Sequence, residues 1–212
     1  MGATIVEADK LKSIKELFAE FLQLGKHLGE NATLLWMDAI EFWTSTNKKR
    51  ITTQRKVRLL RAAVLLAAAA FEAWTNFLAE NVVQVRAVAG RGLTEAELDV
   101  LCERRKVLRD GTIKEENARY SSADRFLLLF QILNGNRGLP KKLRTQLKSA
   151  FDTRNELVHP KPGKFADVLE SGRGSVVIGT FLAADIELAK VWVKTKEVMP
   201  RPVTVDNHPH QG

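Results

Sequence analysis

The stretch Ile51–Ala89, "ITTQRKVRLLRAAVLLAAAAFEAWTNFLAENVVQVRAVA", decides the fold. It holds neither Gly nor Pro and is the longest candidate helix in the chain. Its first third is strongly basic, its middle is apolar on every side, and its end is mixed. A helix that is apolar all round has no face to give to water, so it belongs at the centre of a bundle. The run Ala62–Phe71 is about half the length that a bilayer needs and is rich in alanine, which fits a core helix rather than a membrane span.

On the N-terminal side, Leu11, Ile14, Leu17, Phe18, Phe21 and Leu22 fall on one helical face, and Leu35, Trp36, Ile40 and Trp43 on another, with Gly25 and Gly29 marking a break or kink between them. Trp36 and Trp43 read as core or interface residues. On the C-terminal side, Gly90–Gly92 stops the long helix. Thr94 and Glu97 have capping-box spacing and start the next helix, in which Cys102 reads as a small buried apolar residue. Asp110-Gly111 marks a turn that would close a small hairpin. Ser121, with Asp124 three residues on, caps a short helix over "SSADRFLLLFQIL". Pro140 opens a helix that Pro160 and Pro162 end. A Gly-punctuated segment follows, with one short strand expected at Ser175–Ile178, then a last helix from about Ala183 to Val198.

The expected architecture is all-α: an up-and-down bundle of five to seven helices around a long central one. It divides into an N-terminal helical extension (1–49), the bundle (50–198) and a Pro-rich tail (199–212) expected to be disordered. The 212 residues suit one core, and 45% apolar with 27% charged residues is ordinary for a globular protein. The net charge of +8 favours phosphate-rich partners. Cys102 is the only cysteine, so no intramolecular disulfide forms and a reducing, cytoplasmic setting is expected. "MGATIVEADKLK" lacks the pattern of a secretory signal and has Val6 where myristoylation wants Ser or Thr. His208 and His210 resemble a metal-binding pair by composition only.

The functional signal lies in "FDTRNELVHPKPG", Phe151–Gly163. On a helix from Pro140, Leu143, Leu147, Ala150, Phe151, Leu157 and Val158 gather on one face, with Arg154 near its centre and Asn155 and His159 on its flank. Arg154 and His159, five residues apart, diverge by about 140° on an ideal helix. A buried guanidinium needs acceptors. Glu72 on the central helix is the best candidate, with Asn76 one turn further on as a second polar contact. Arg, Asn and His without a carboxylate–metal cluster suit transesterification at a phosphate. His moves a proton near neutral pH, Arg neutralises charge on the phosphorane, and Asn orients the phosphate or fixes the imidazole. In RNA the 2′-hydroxyl is the nucleophile, so no metal and no cofactor is called for.

"RNELVH" (Arg154–His159) resembles the signature of the HEPN superfamily, an arginine and a polar residue followed after a short spacer by histidine near a helix end. "FEAWTNFL" (Phe71–Leu78) is similar to the acidic-and-Asn helix of such domains. The resemblance covers about residues 50–198. It implies a metal-independent endoribonuclease of toxin or antiphage-defence type, working as a homodimer that brings two Arg–His motifs into one cleft, with an antitoxin or regulatory protein as a further partner. Carried over, Arg154 stabilises the phosphate charge, Asn155 is the polar residue beside it, and His159 transfers the proton; Glu72 and Asn76 are supporting residues. Two basic stretches, "NKKRITTQRKVRLLR" (with Lys48, Lys49, Arg50 and Arg55) and "RGLPKKLRTQLK" (with Lys141, Lys142 and Arg144), are candidate RNA contacts. The alternative is a non-catalytic helical domain that binds nucleotide or nucleic acid, or serves as a dimerisation adaptor. Against both stands a structural reading, in which Arg154 bridges helices and His159 is a cation favourably placed at a helix C-terminus.

Overall fold

The computed structural model describes residues 14–23, 30–48, 50–88, 92–109, 112–118, 120–159 and 173–198. Gly25, Gly29, Lys49, Asp110, Gly111, Pro160, Pro162, His208 and His210, with the tail 199–212, lie outside the described residues. Seven helices are present among them: α1 (14–23), α2 (Glu30–Ser45), α3 (Thr53–Val88), α4 (Glu95–Leu101), α5 (Ser122–Leu133), α6 (Lys141–Val158) and α7 (Arg173–Val198). One antiparallel hairpin, β1 (Arg104–Arg109) with β2 (Thr112–Asn117), pairs Arg109 with Thr112 at its tip. The protein is an all-α bundle with a long central helix.

That central helix is α3. Its 36 residues span about 54 Å, and it packs against α2, α4, α5, α6 and α7. By length and composition Thr53–Arg86 would cross a membrane, yet 56% of its most apolar window is buried inside the bundle, as a core helix requires. Ala63, Ala67, Ala68 and Ala70 are fully buried and let neighbouring helices approach closely. Phe71 is the node of the core. Its ring lies 4.7 Å from Phe126 of α5, 5.5 Å from Phe151 of α6 and 5.3 Å from Phe181 of α7. Four helices are thus tied at one point, one residue from Glu72 and one turn from Arg154.

The N-terminal helices share this core. Ile14, Phe21, Trp36 and Trp43 are buried in the same cluster as Phe71. The two tryptophan N–H groups pin α2 antiparallel to α7: Trp36 Nε1 donates to Asp185 Oδ2 at 2.8 Å, and Trp43 Nε1 to Ser175 Oγ at 3.0 Å. Lys190 of α7 pairs with Glu20 of α1 at 2.8 Å, and this bond raises the Lys190 ammonium above its ordinary value.

Local chemistry sets the starts of two helices. Thr94 and Glu97 form the full capping box of α4, which holds the Glu97 carboxyl below its usual range, mainly through the Thr94 backbone N–H. Ser121 caps α5 through the Asp124 N–H at 3.0 Å.

Two expectations are corrected. Ser175–Ile178 is helical, not a strand, and α7 begins at Arg173. The glycines there serve packing: a Cβ on Gly174 would lie 2.7–2.8 Å from three side-chain carbons of Leu60, and Gly179 faces Ile14. Cys102 is not inside a helix. It is the C-cap of α4 and only half-buried, because Glu103 turns to φ 53° and delivers the chain into β1.

Candidate functional site

Helix α6 runs antiparallel to α3. At its C-terminal end Arg61 of α3 donates to the Leu157 carbonyl at 3.1 Å, satisfying one of the acceptors that a helix end leaves open. The buried stripe of α6 is Leu147, Ala150, Thr153 and Leu157. It is rotated from the one expected: Thr153 is buried with its hydroxyl donating to the Ser149 carbonyl at 3.0 Å, whereas Val158 is exposed. Arg154 therefore stands on the border of the stripe rather than at its centre. Its side chain is 32% exposed, so the guanidinium is not held inside the bundle but reaches along apolar surface to its edge.

There Arg154 meets Glu72. Nη2 lies 3.7 Å from Glu72 Oε1, and Nη1 donates to Asn155 Oδ1 at 3.1 Å. The same Glu72 oxygen accepts the Ser122 hydroxyl at 2.9 Å. Three helices thereby converge on one carboxylate: α3 supplies it, α5 and α6 bind it. They enclose a cleft of about 650 Å³, with Glu72, Ser122, Arg154 and Asn155 at one end and Arg144, Lys148, Phe151 and Tyr120 also on its walls.

Asn76 does not join Arg154. Its Oδ1 accepts Nη1 of Arg125 at 2.7 Å, because α5 runs parallel to α3 and places Arg125 one turn beyond Ser122. Among the described residues Arg125 is the arginine that is buried, at 9% side-chain exposure. It also reaches Glu103 Oε1 at 3.1 Å and donates to the Leu101 carbonyl at 2.9 Å. The sequence carried a signal for it, an arginine inside the apolar run of "SSADRFLLLFQIL", the same anomaly that marks Arg154. Asp185, fully buried in α7, also escaped the sequence reading. Burial pushes its carboxyl well above the usual range, while the Trp36 N–H pulls the other way.

His159 is the C-cap of α6. It has left helical geometry (φ −119°, ψ 67°), its N–H donates to the Asn155 carbonyl at 2.9 Å, and its side chain is exposed. It does not line the cleft. One chain thus assembles Arg154, Asn155 and Glu72, with His159 outside on the flank that Asn155 shares. The basic candidates divide between the two ends of α6, about 27 Å apart. Lys141, Lys142 and Arg144 are exposed at its N-terminal end, and of these only Arg144 lines the cleft. Lys48, Arg50 and Arg55 are exposed in the turn before α3 and at its start, the end of α3 that docks on the α6 C-terminus through Arg61.

No protein-family model matches the chain, and neither does any curated protein or solved structure.

Proposed function

We propose that the protein is a metal-independent endoribonuclease of the HEPN type, acting as a homodimer. The observation that carries the reading is the state of Arg154: its guanidinium is oriented by Glu72 and Asn155, is part exposed, and faces a cleft instead of being consumed inside the core. A purely structural arginine is held as Arg125 is, buried and bonded on several sides. Support comes also from the likeness of "RNELVH" to the HEPN signature and from cations at both ends of α6.

In this mechanism His159 accepts the proton of a ribose 2′-hydroxyl, and the 2′-oxygen attacks the adjacent phosphorus. Arg154 stabilises the added negative charge of the phosphorane. The P–O5′ bond then breaks, leaving a 2′,3′-cyclic phosphate, and the departing 5′-oxygen takes up a proton. Because His159 lies outside its own chain's cleft, a second copy is needed to bring an imidazole opposite Arg154.

The test is cleavage of single-stranded RNA by wild type, Arg154→Ala and His159→Ala in the presence of chelator, with the product ends analysed. His159→Ala should lose at least about 100-fold in rate, the low end for a positioned acid or base, and Arg154→Ala about 100- to 1,000-fold. Equal cleavage by all three, or none by wild type, rejects the reading. The exposed position of His159 favours one second reading, RNA or nucleotide binding without turnover; it predicts retention of RNA by wild type with no products.

A further inference from the structure

We propose that the cleft between α3, α5 and α6 is a nucleotide subsite, which takes the sugar–phosphate and base of single-stranded RNA next to the cleaved bond. This rests on the ribonuclease reading for its place in a reaction, but its binding test stands apart from cleavage.

The walls are suited to that ligand. Arg144 and Lys148 stand one turn apart on α6, about 15 Å and about 9 Å along the axis from Arg154, and all three line the cleft. Of the three acids that line the cleft, Glu72 is engaged by Ser122 and Arg154 and Asp124 by the Ser121 hydroxyl, while Asp152 stands one turn from Lys148 on α6. Among the described residues neither Arg144 nor Lys148 has a carboxylate partner; both are exposed and face the same cleft. Arg144 and Lys148 make no ion pair even with Asp152 on the same wall, and cations held free at an open cleft suit phosphate oxygens.

The remaining surface is aromatic. Phe151 is half-buried, its ring packed against Phe71 and Phe181. On the opposite wall Tyr120 is half-buried, with its hydroxyl directed to the Arg104 carbonyl at 3.4 Å. Two anchored rings beside a pair of cations one turn apart are the elements of single-strand binding, in which bases stack and the backbone tracks positive charge. The volume of about 650 Å³ lies within the range of small-molecule sites, enough for a nucleotide and too small for a duplex.

The experiment uses the full chain and a fluorescently labelled single-stranded RNA, 2′-O-methylated so that it cannot be cleaved, with affinity measured over a salt series. Arg144→Ala/Lys148→Ala should weaken binding at low salt and flatten the plot of log affinity against log salt by about 1.4, or about 0.7 for each phosphate no longer neutralised. Tyr120→Ala should weaken binding at least about fivefold and leave that slope unchanged, as removal of a stacking platform does. Lys194→Ala removes an exposed cation on α7 that does not line the cleft, and should alter neither. An unchanged slope in the double variant overturns the inference, and so does an equal effect per charge from Lys194→Ala. A free nucleoside monophosphate should compete at least about 100-fold more weakly than the RNA; equal competition makes this a site for free nucleotides and overturns the RNA assignment. RNA bound with these slopes but not cleaved in unmodified form rejects the ribonuclease reading alone, whereas cleavage with unchanged slopes rejects the subsite alone.

Discussion

Replacing Asp185 by Asn should change how stability depends on pH, in a direction that the structure dictates. The carboxyl is fully buried in α7; one oxygen accepts the Trp36 N–H at 2.8 Å, and the other has no hydrogen-bond partner. Desolvation raises its pKa well above that of the unfolded chain, with the Trp36 bond opposing in part. Below about pH 4, where the unfolded carboxyl ionises, both states hold the proton. Above that, unfolding releases a proton, so wild-type stability falls by about 1.4 kcal/mol per pH unit from this residue until the native carboxyl also ionises. Asn cannot titrate. The stability of Asp185→Asn relative to wild type should therefore be flat near pH 3, rise with that slope, and then level off. Asn also brings a second N–H bond into the site, and an unsatisfied donor costs about 1–3 kcal/mol at every pH. Hence the slope of the difference is diagnostic and its offset is not. Urea unfolding of both proteins, followed by circular dichroism from about pH 3 to about pH 9, measures it. A difference that stays flat, or that falls as pH rises, refutes a native pKa raised above that of the unfolded chain.

Gly174→Ala should destabilise by about 1–3 kcal/mol through overpacking, since its Cβ would meet Leu60 at 2.7–2.8 Å. In a thermal-denaturation cycle with Leu60→Ala the two effects should be less than additive; full additivity would show that the contact does not matter. Arg125→Leu should cost about 2–3 kcal/mol by removing charge-assisted bonds to Asn76 and Glu103 and the bond to Leu101, and Arg125→Lys should recover little because an ammonium lacks the planar fork. Equal chemical stability of Arg125→Lys and wild type would refute that account.

The helical plan was legible because its signals are local. Thr94 with Glu97 and Ser121 with Asp124 announce two helix starts, and the absence of Gly and Pro from Thr53 to Val88 announces the central helix. The misreading at Ser175–Ile178 arose where local and tertiary preferences disagree. Val176, Val177 and Ile178 between two glycines look like a strand, yet Val177 and Ile178 are buried on a helical face and Gly174 is required by Leu60. Glu72 was paired with Arg154 as the acceptor of a buried guanidinium; the two do meet, but at the border of the apolar stripe, where a charge finds the nearest opposite charge. The partner of Asn76 was not legible. It depends on how α5 is set along α3, a relation between segments some fifty residues apart that no periodicity encodes. Asp185 stayed hidden for a similar reason: an acid in "LAADIELAK", two residues from Glu187, looks like a solvent-facing residue until α2 lays Trp36 over it.

The polar contacts along α3 supply what its alanines cannot. The small side chains of Ala63, Ala67, Ala68 and Ala70 let a neighbour approach closely but give it no polar partner. Apolar packing here fixes distance better than it fixes position along the axis. Glu72 and Asn76, one turn apart, meet Ser122 and Arg125 of α5, and near the far end of α5 Arg86 donates to the Ile132 carbonyl at 2.9 Å. A one-turn slip of about 5.4 Å would take Asn76 from Arg125 and cost about 1.5–3 kcal/mol for the lost charge-assisted bond. It would also draw Ser122 away from Glu72 and loosen the carboxylate that orients Arg154. The buried arginine that the fold keeps for register thus determines where the exposed one points, and the geometry of the cleft depends on a residue that forms no part of its walls.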